Sequence, residues 1–226
     1  MALFKDRRDA GRKLAEKLSA YANHPDVIVL ALPRGGVPVA YEVSMALNAP
    51  MDIFLVRKLG LPGHEELAIG AIASGGIRVL NNEILRTLGV DRNVIDMVAR
   101  QEQQELERRE QKYRGDRPPI DVRGKTVMLV DDGLATGASM RAAVAGLRTQ
   151  NPARIVVAVP TAAPETCQAF ESEVDEMVCA TTPQPFYGVS RWYEDFSQTT
   201  DLEVRLLLQE ANRYRVQGEV NEHEVT

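Results

Sequence analysis

Val127-Met128-Leu129-Val130-Asp131-Asp132-Gly133-Leu134-Ala135-Thr136-Gly137-Ala138-Ser139 is the stretch that decides how this chain is read. Four apolar residues run into two adjacent carboxylates, a loop of small residues follows, and a helical pattern begins at Ala138. An unbroken apolar run between turn signals reads as a strand buried on both faces, as in parallel sheets. Neighbouring residues of a regular strand point to opposite faces, so Asp131 and Asp132 can serve one ligand only where the strand ends. A carboxylate accepts through two oxygens and suits vicinal hydroxyls. The loop behind it offers backbone N–H groups, the hydroxyls of Thr136 and Ser139 and a helix N-terminus, which are the parts of an anion site. Two acids repel an anion placed beside them. The pattern therefore fits a sugar ring on the acids, with its phosphate further along over the loop.

Plainer readings account for less. A capped helix after a buried strand would explain Thr136 or Ser139 but not two adjacent acids. A P-loop nucleotide hydrolase also ends an apolar strand in acids, and Gly124-Lys125-Thr126 mimics the end of its phosphate loop. That motif needs a glycine where Pro119 stands and a helix where the 127–131 strand begins. A receiver-type phospho-acceptor domain carries its acids early in the chain and lacks the Thr-Gly-x-Ser loop.

Outward from this stretch the chain alternates strands and helices. An amphipathic helix spans 6–22, with Leu14, Leu18 and Tyr21 at helical spacing, and Pro25 ends it. Apolar strands are expected at 27–32, 53–56, 127–131, 155–159 and 177–179, and helices at 37–47, 138–147 and 164–170. Residues 59–67 read as an exposed loop, followed by short strands at 68–73 and 77–80. Asp91 caps a long polar helix to about residue 113, whose apolar side (Val94, Ile95, Val98) fades after the first turns, so it reads as a solvated or partner-facing arm. Residues 181–198 are irregular and aromatic-rich, and Thr200 with Glu203 forms a capping box opening a closing helix over about 200–215. The expected fold is α/β: a mostly parallel twisted sheet flanked by helices, in one domain over 1–226 with its core at about 27–180. Ligands of such sheets sit at the carboxyl ends of strands, where the loops at Arg34, Arg57 and Asp131 can converge.

Composition narrows the function. With 44% hydrophobic residues the chain can bury a sizeable core, and a net charge of −5 argues against a general nucleic-acid binder. No stretch is long and apolar enough for a membrane span, and the first residues carry no signal-peptide pattern. Cys167 and Cys179 are the only cysteines and lack metal-type spacing, so no disulfide framework and a reducing cytoplasm are expected. His24, His64 and His223 lie too far apart in sequence to suggest a histidine metal site.

The 127–139 stretch resembles the phosphoribosyl-diphosphate signature of the type I phosphoribosyltransferases: apolar strand, two acids, then Thr-Gly-x-Ser. The resemblance implies that Asp131 and Asp132 bind the ribose hydroxyls, and that Ala135, Thr136, Gly137, Ala138 and Ser139 cradle the 5′-phosphate. Leu32-Pro33-Arg34-Gly35-Gly36 resembles the family's diphosphate loop. Arg34 offers a forked guanidinium and Gly35 a backbone freedom that other residues lack. A plain strand-to-helix turn is the alternative. Arg57-Lys58-Leu59-Gly60 is similar to the segment that opens the mobile loop of adenine-type members, which implies diphosphate contacts for Arg57 and Lys58. A solvated basic pair is the alternative there. Two departures stand out: the acidic His64-Glu65-Glu66, where many members place a cation, and the polar helix at about 91–114, which looks inserted.

The resemblance, over roughly 27–200, implies a magnesium-dependent transferase that joins a purine-like base to the phosphoribosyl group and releases diphosphate. Magnesium would be held through substrate oxygens, with Asp131 and Asp132 as the possible protein ligands. The family is commonly homodimeric. Its hood over the acceptor would be residues 181–198, with Phe186, Tyr187 and Trp192 as base-stacking candidates; the alternative is that these aromatics lock the segment to the body. Rival functions are a phosphoribosyl-diphosphate-sensing regulator and a hydrolytic or phosphoryl activity on the same scaffold.

Overall fold

The structure, a computed structural model, describes residues 2–223. In chain order the elements are α1 (Arg7–Lys17), β1 (Val27–Ala31), α2 (Gly36–Leu47), β2 (Met51–Ile53), β3 (Val56–Leu61), β4 (His64–Ala73), β5 (Ile77–Leu80), α3 (Asn82–Leu88), α4 (Arg92–Arg114), β6 (Thr126–Val130), α5 (Ala138–Arg148), β7 (Arg154–Thr161), α6 (Pro164–Phe170), β8 (Glu176–Thr181) and α7 (Asp201–His223). Five strands form one sheet in the order β2-β1-β6-β7-β8, and every pairing in it is parallel.

The unbroken apolar runs have the cause expected of them, because both faces of the sheet are covered. Val29, Ala31, Met128, Val130, Val156 and Ala158 face a core shared with Leu14 of α1, Val39 and Val43 of α2 and Leu208 of α7. Ile28, Leu30, Val127, Leu129, Ile155 and Val157 face the opposite core, with Met140 and Leu147 of α5 and Phe170 of α6. Each Val, Leu, Ile, Met or Phe side chain taken from water contributes roughly 1.5–3 kcal/mol, so the central strands are heavily anchored backbone beside the site.

The structure corrects several expectations. Residues 59–67 are not an exposed loop: β3 and β4 pair as an antiparallel hairpin, and with β5 they make a separate three-stranded sheet. The strand expected at 53–56 is two strands, since β2 ends at Ile53 and Val56 opens β3. Asp131 lies just beyond β6, not within it. Helix α3 was not expected; Asn81 caps it by accepting from Ile84 N, and Gly89 ends it. The opening helix stops at Lys17, and a 3₁₀ turn over Ser19–Tyr21 completes the segment. Helix α4 is not a free arm, because Ile95, Val98, Ala99, Leu106 and Tyr113 are buried along one side of its whole length. At its end Arg114 and Asp52 form an ion pair at 3.0 Å, buried on both sides.

The two cysteines are joined. Cys167 of α6 and Cys179 of β8 form a disulfide across a separation of 12 residues. The spacing gave no hint of it, because the chain has to return from α6 into the adjacent parallel strand before the thiols meet.

Candidate active site

The strand order reverses between β1 and β6: the chain builds β2 on one side of β1 and later places β6 on the other. In parallel sheets such a reversal opens a crevice at the carboxyl ends of the two strands. Ala31 and Val130 are partners in register, so the segments that follow leave the same edge at the same height. Leu32 N donates to Val130 O at 2.9 Å and holds the two exits together. The Arg34 loop and the Asp131-Asp132 pair emerge here.

Asp131 Oδ1 accepts from Asp132 N at 2.8 Å, which folds the first acid back over the turn. Burial is the main influence on Asp131, and the adjacent Asp132 charge adds to it, so its carboxyl is held well above the usual carboxylate range. Burial also raises Asp132, against the opposing pull of Arg7, whose Nε donates to Asp132 Oδ2 at 2.8 Å. Tyr193 Oη donates to the main-chain oxygen of Asp132 at 2.6 Å. Burial and the nearby acids push the Tyr193 phenol up, so it remains a donor. Two half-buried acids stand at a strand exit, offset by one arginine, and carboxylate oxygens of this kind suit hydroxyls or cations.

The loop after the acids is braced from behind and open in front. Leu134 N donates to Thr161 O at 2.9 Å, and Ala163 N to Leu134 O at 3.0 Å. Thr166 Oγ1 of α6 donates to Ala135 O at 2.6 Å, and Arg141 of α5 to Thr136 O at 2.7 Å. Gly137 has φ +74°, and a Cβ there would lie 2.6 Å from the Phe170 ring, so only glycine fits both the turn and the packing. Ala135, Thr136, Ala138 and Ser139 are exposed around the N-terminus of α5.

Gly35 stands beside the acids for a different reason from the one its sequence suggested. Its backbone is ordinary right-handed helix, φ −60° and ψ −35°, which any residue adopts. A Cβ at Gly35, however, would lie 2.1 Å from Asp132 Oδ2. The glycine lets two loops touch. Arg34 lies 3.7 Å from Asp201 at the start of α7, and Asp201 also accepts from Lys112 Nζ and Tyr113 Oη of α4, each at 2.6 Å.

Arg57 and Lys58 sit within β3, not at a strand exit of the parallel sheet. Arg57 is ion-paired to Glu102 of α4. Both residues line a cleft of about 590 Å³ between the hairpin and α4, with Met97 and Gln101 on its far wall. The side chains of Glu65 and Glu66 lie outside those described. In the 181–198 segment Phe186 stacks on Trp192 with ring centroids 6.4 Å apart, while Tyr187 is 76% exposed and faces solvent. Trp192 Nε1 is buried without a hydrogen-bond partner among the described residues.

Sequence reasoning missed three participants. Arg7 is one of several charges on a polar helix, Tyr193 is one aromatic among several, and Asp201 looks like an ordinary first-turn acid. Nothing in their local spacing marks them, since their partners lie 125, 61 and about 88 residues away.

A family model for the phosphoribosyl transferase domain matches residues 4–187. This chain belongs to the phosphoribosyltransferase family. A Mycobacterium tuberculosis (strain ATCC 25618 / H37Rv) protein provisionally named phosphoribosyl transferase is 44% identical over 213 residues, covering 94% of this chain and 48% of that protein. The chain thus spans about half the length of the curated relatives it matches. The bifunctional protein PyrR of Chloroflexus aurantiacus is 32% identical over 136 residues, 56% of this chain and 65% of that protein. The crystal structure of TT1426 from Thermus thermophilus superposes with a TM-score of 0.82 at 42% identity, covering 93% of this chain and 99% of that chain. Among the described residues no helix is long and apolar enough to cross a membrane.

Proposed function

We propose that this site transfers the phosphoribosyl group of phosphoribosyl diphosphate to a ring nitrogen of a purine-like base. The observation that carries the reading is the half-buried Asp131-Asp132 pair at the β1/β6 reversal, next to an open loop at a helix N-terminus. In this reading the two acids accept hydrogen bonds from the ribose hydroxyls. Backbone N–H groups of 135–139, with the Thr136 and Ser139 hydroxyls, hold the 5′-phosphate, aided by the α5 dipole. Arg34 and the Gly35 backbone lie towards the diphosphate, and Arg57 and Lys58 approach it from the hairpin.

The base nitrogen forms a bond to the anomeric carbon as the bond from that carbon to diphosphate breaks, and the electron pair leaves with diphosphate. Positive charge grows on the ring, where the acids stabilise it, and negative charge grows on the leaving group, where the arginines do. Holding donor and base in line supplies much of the rate. Phe186 and Trp192 would stack on the base.

The site's donor set suits magnesium, because carboxylate oxygens are its preferred protein ligands. Magnesium would be held through oxygens of the donor, with Asp131 and Asp132 as the protein groups placed to add ligands. Magnesium would neutralise charge on the diphosphate. A homodimer belongs to the same reading, and the exposed Leu202 and Leu206, one turn apart on α7, offer an apolar stripe for a second copy; the Cys167–Cys179 disulfide removes the ground on which a reducing cytoplasm was expected.

The test is diphosphate release from phosphoribosyl diphosphate and magnesium across a panel of bases. Release that depends on a purine supports the proposal. Donor binding without release would make the chain a sensor, and release without any base would make it a hydrolase; either result overturns it.

A further inference from the structure

The guanidinium of Arg7 is held more firmly than a surface arginine has reason to be. Arg8 and Arg12 on the same helix have side chains 49% and 56% exposed, whereas that of Arg7 is 11% exposed. Its Nη1 donates to Ser197 O at 2.6 Å, and its central carbon lies 3.9 Å from the centroid of the Phe196 ring. Phe196 in turn packs on Tyr193, ring centroids 5.0 Å apart, and Tyr193 packs on Phe4 at 5.2 Å. The backbone closes the same unit: Phe4 N donates to Trp192 O, Glu194 N to Phe4 O and Asp195 N to Lys5 O, all at 2.9–3.0 Å. The first residues of the chain and the 192–197 segment are therefore one piece of structure.

That piece grips Asp132 twice. Arg7 takes its carboxylate and Tyr193 its main-chain oxygen. The same carboxylate oxygen also abuts Gly35, whose added Cβ would lie 2.1 Å from Asp132 Oδ2 and 3.3 Å from Arg7 Nε. Asp132 Oδ2 is thus held by Arg7 where the Arg34-Gly35 loop comes closest to it, which favours one orientation of the carboxylate.

We propose that Arg7 is a positioning residue of the transfer reaction: carried by the Phe4/Tyr193/Phe196 unit, it fixes the Asp132 carboxylate in the orientation in which it meets the ribose. The inference rests on the function proposed above. Arg7 acts through Asp132 and does not itself touch the donor. It ties the aromatic segment on the acceptor side to the acid on the donor side, so a shift in one is felt by the other. A planar guanidinium with ring and carbonyl contacts sets a direction that a lysine ammonium matches only in part.

The experiment is steady-state diphosphate release by the wild type, Arg7→Gln, Arg7→Lys, Phe196→Leu and Arg7→Gln/Phe196→Leu, with circular dichroism to count folded sites. Misalignment of a group that acts in the transition state lowers kcat about 10–100-fold. Arg7→Gln is expected to show such a fall per folded site with the donor KM within about threefold of wild type, and Arg7→Lys to recover part of it. Phe196→Leu is expected to show a smaller fall in the same direction, and the double variant to be no worse than Arg7→Gln alone. An unchanged kcat per folded site in Arg7→Gln, or losses that simply multiply in the double variant, overturns the inference while leaving the function intact. If Arg7→Gln does not fold, Arg7→Lys and Phe196→Leu decide on the same criterion. A wild type that releases no diphosphate with any base overturns the function, and this inference with it.

Discussion

Two charged motifs sit on very different ground in this molecule. The Asp131-Asp132 turn leaves the middle of a parallel sheet buried on both faces, and its loop is held by Thr161, Thr166 and Arg141. The Arg57-Lys58 pair lies in an antiparallel hairpin outside that sheet, and Glu102 of a neighbouring helix already faces Arg57. The first region is preorganised and sets two half-buried acids against one arginine. The second has its charge partly balanced and a cleft of about 590 Å³ beside it. In this account the acids define the donor site, and the hairpin adjusts affinity.

The sharpest way to break the comparison is to disable each region in turn. Asp131→Asn with Asp132→Asn is expected to lower turnover about 10³-fold or more in an intact fold, against roughly 10-fold for Arg57→Ala with Lys58→Ala. Equal losses would erase the distinction. Diphosphate release, with circular dichroism as the folding control, measures both.

The next effect concerns the brace behind the phosphate loop. Cys167→Ser with Cys179→Ser opens a short cross-linked loop that ties α6 to β8, and is expected to cost about 3 kcal/mol in urea unfolding. Thr166 and Phe170 of α6 press on the loop at Ala135 and Gly137, so affinity for phosphoribosyl diphosphate should fall too. A loss of stability with unchanged affinity would show that the loop does not depend on α6.

A smaller effect has the opposite sign. Asp131 titrates above its unfolded value because of burial and the Asp132 charge, so the folded state binds its proton more tightly than the unfolded chain does. Its contribution to stability is greatest below about pH 4, is lost as pH rises through the folded value, and stays unfavourable at neutrality. Asparagine keeps the Oδ1 that accepts from Asp132 N but carries no charge. Asp131→Asn should therefore raise Tm at pH 7 by roughly 2–4 °C, without metal or donor, and the gain should vanish below about pH 4. Asp132→Asn should gain less, because it strips Arg7 of its partner. Scanning calorimetry at the two pH values checks both. The smallest effect belongs to the hairpin: Glu102→Gln frees Arg57 and should tighten donor affinity about two- to threefold, the scale of a part-exposed ion pair.

The same contrast explains what the sequence could and could not disclose. The parallel sheet was legible because each strand writes its burial into consecutive residues, and the acid-loop-helix order around Asp131 is local. The hairpin was not, because Gly60, Pro62 and Gly63 signal a turn, while the sparse apolar residues beside them pair only across the hairpin. Helix α4 hid its buried side because Leu106 and Tyr113 are spaced widely among Gln, Glu and Arg, and their partners come from other elements. Gly35 was singled out for backbone freedom, but its role is the close approach of Asp132, a contact between loops 97 positions apart. Arg7 carried no signal at all, for the same reason.

A crystal structure of the protein with phosphoribosyl diphosphate and magnesium tests the central claim most directly. The account predicts ribose hydroxyls within hydrogen-bond distance of Asp131 and Asp132, and the 5′-phosphate over residues 135–139. A donor bound in the cleft between the hairpin and α4, with the acid pair vacant, would contradict it.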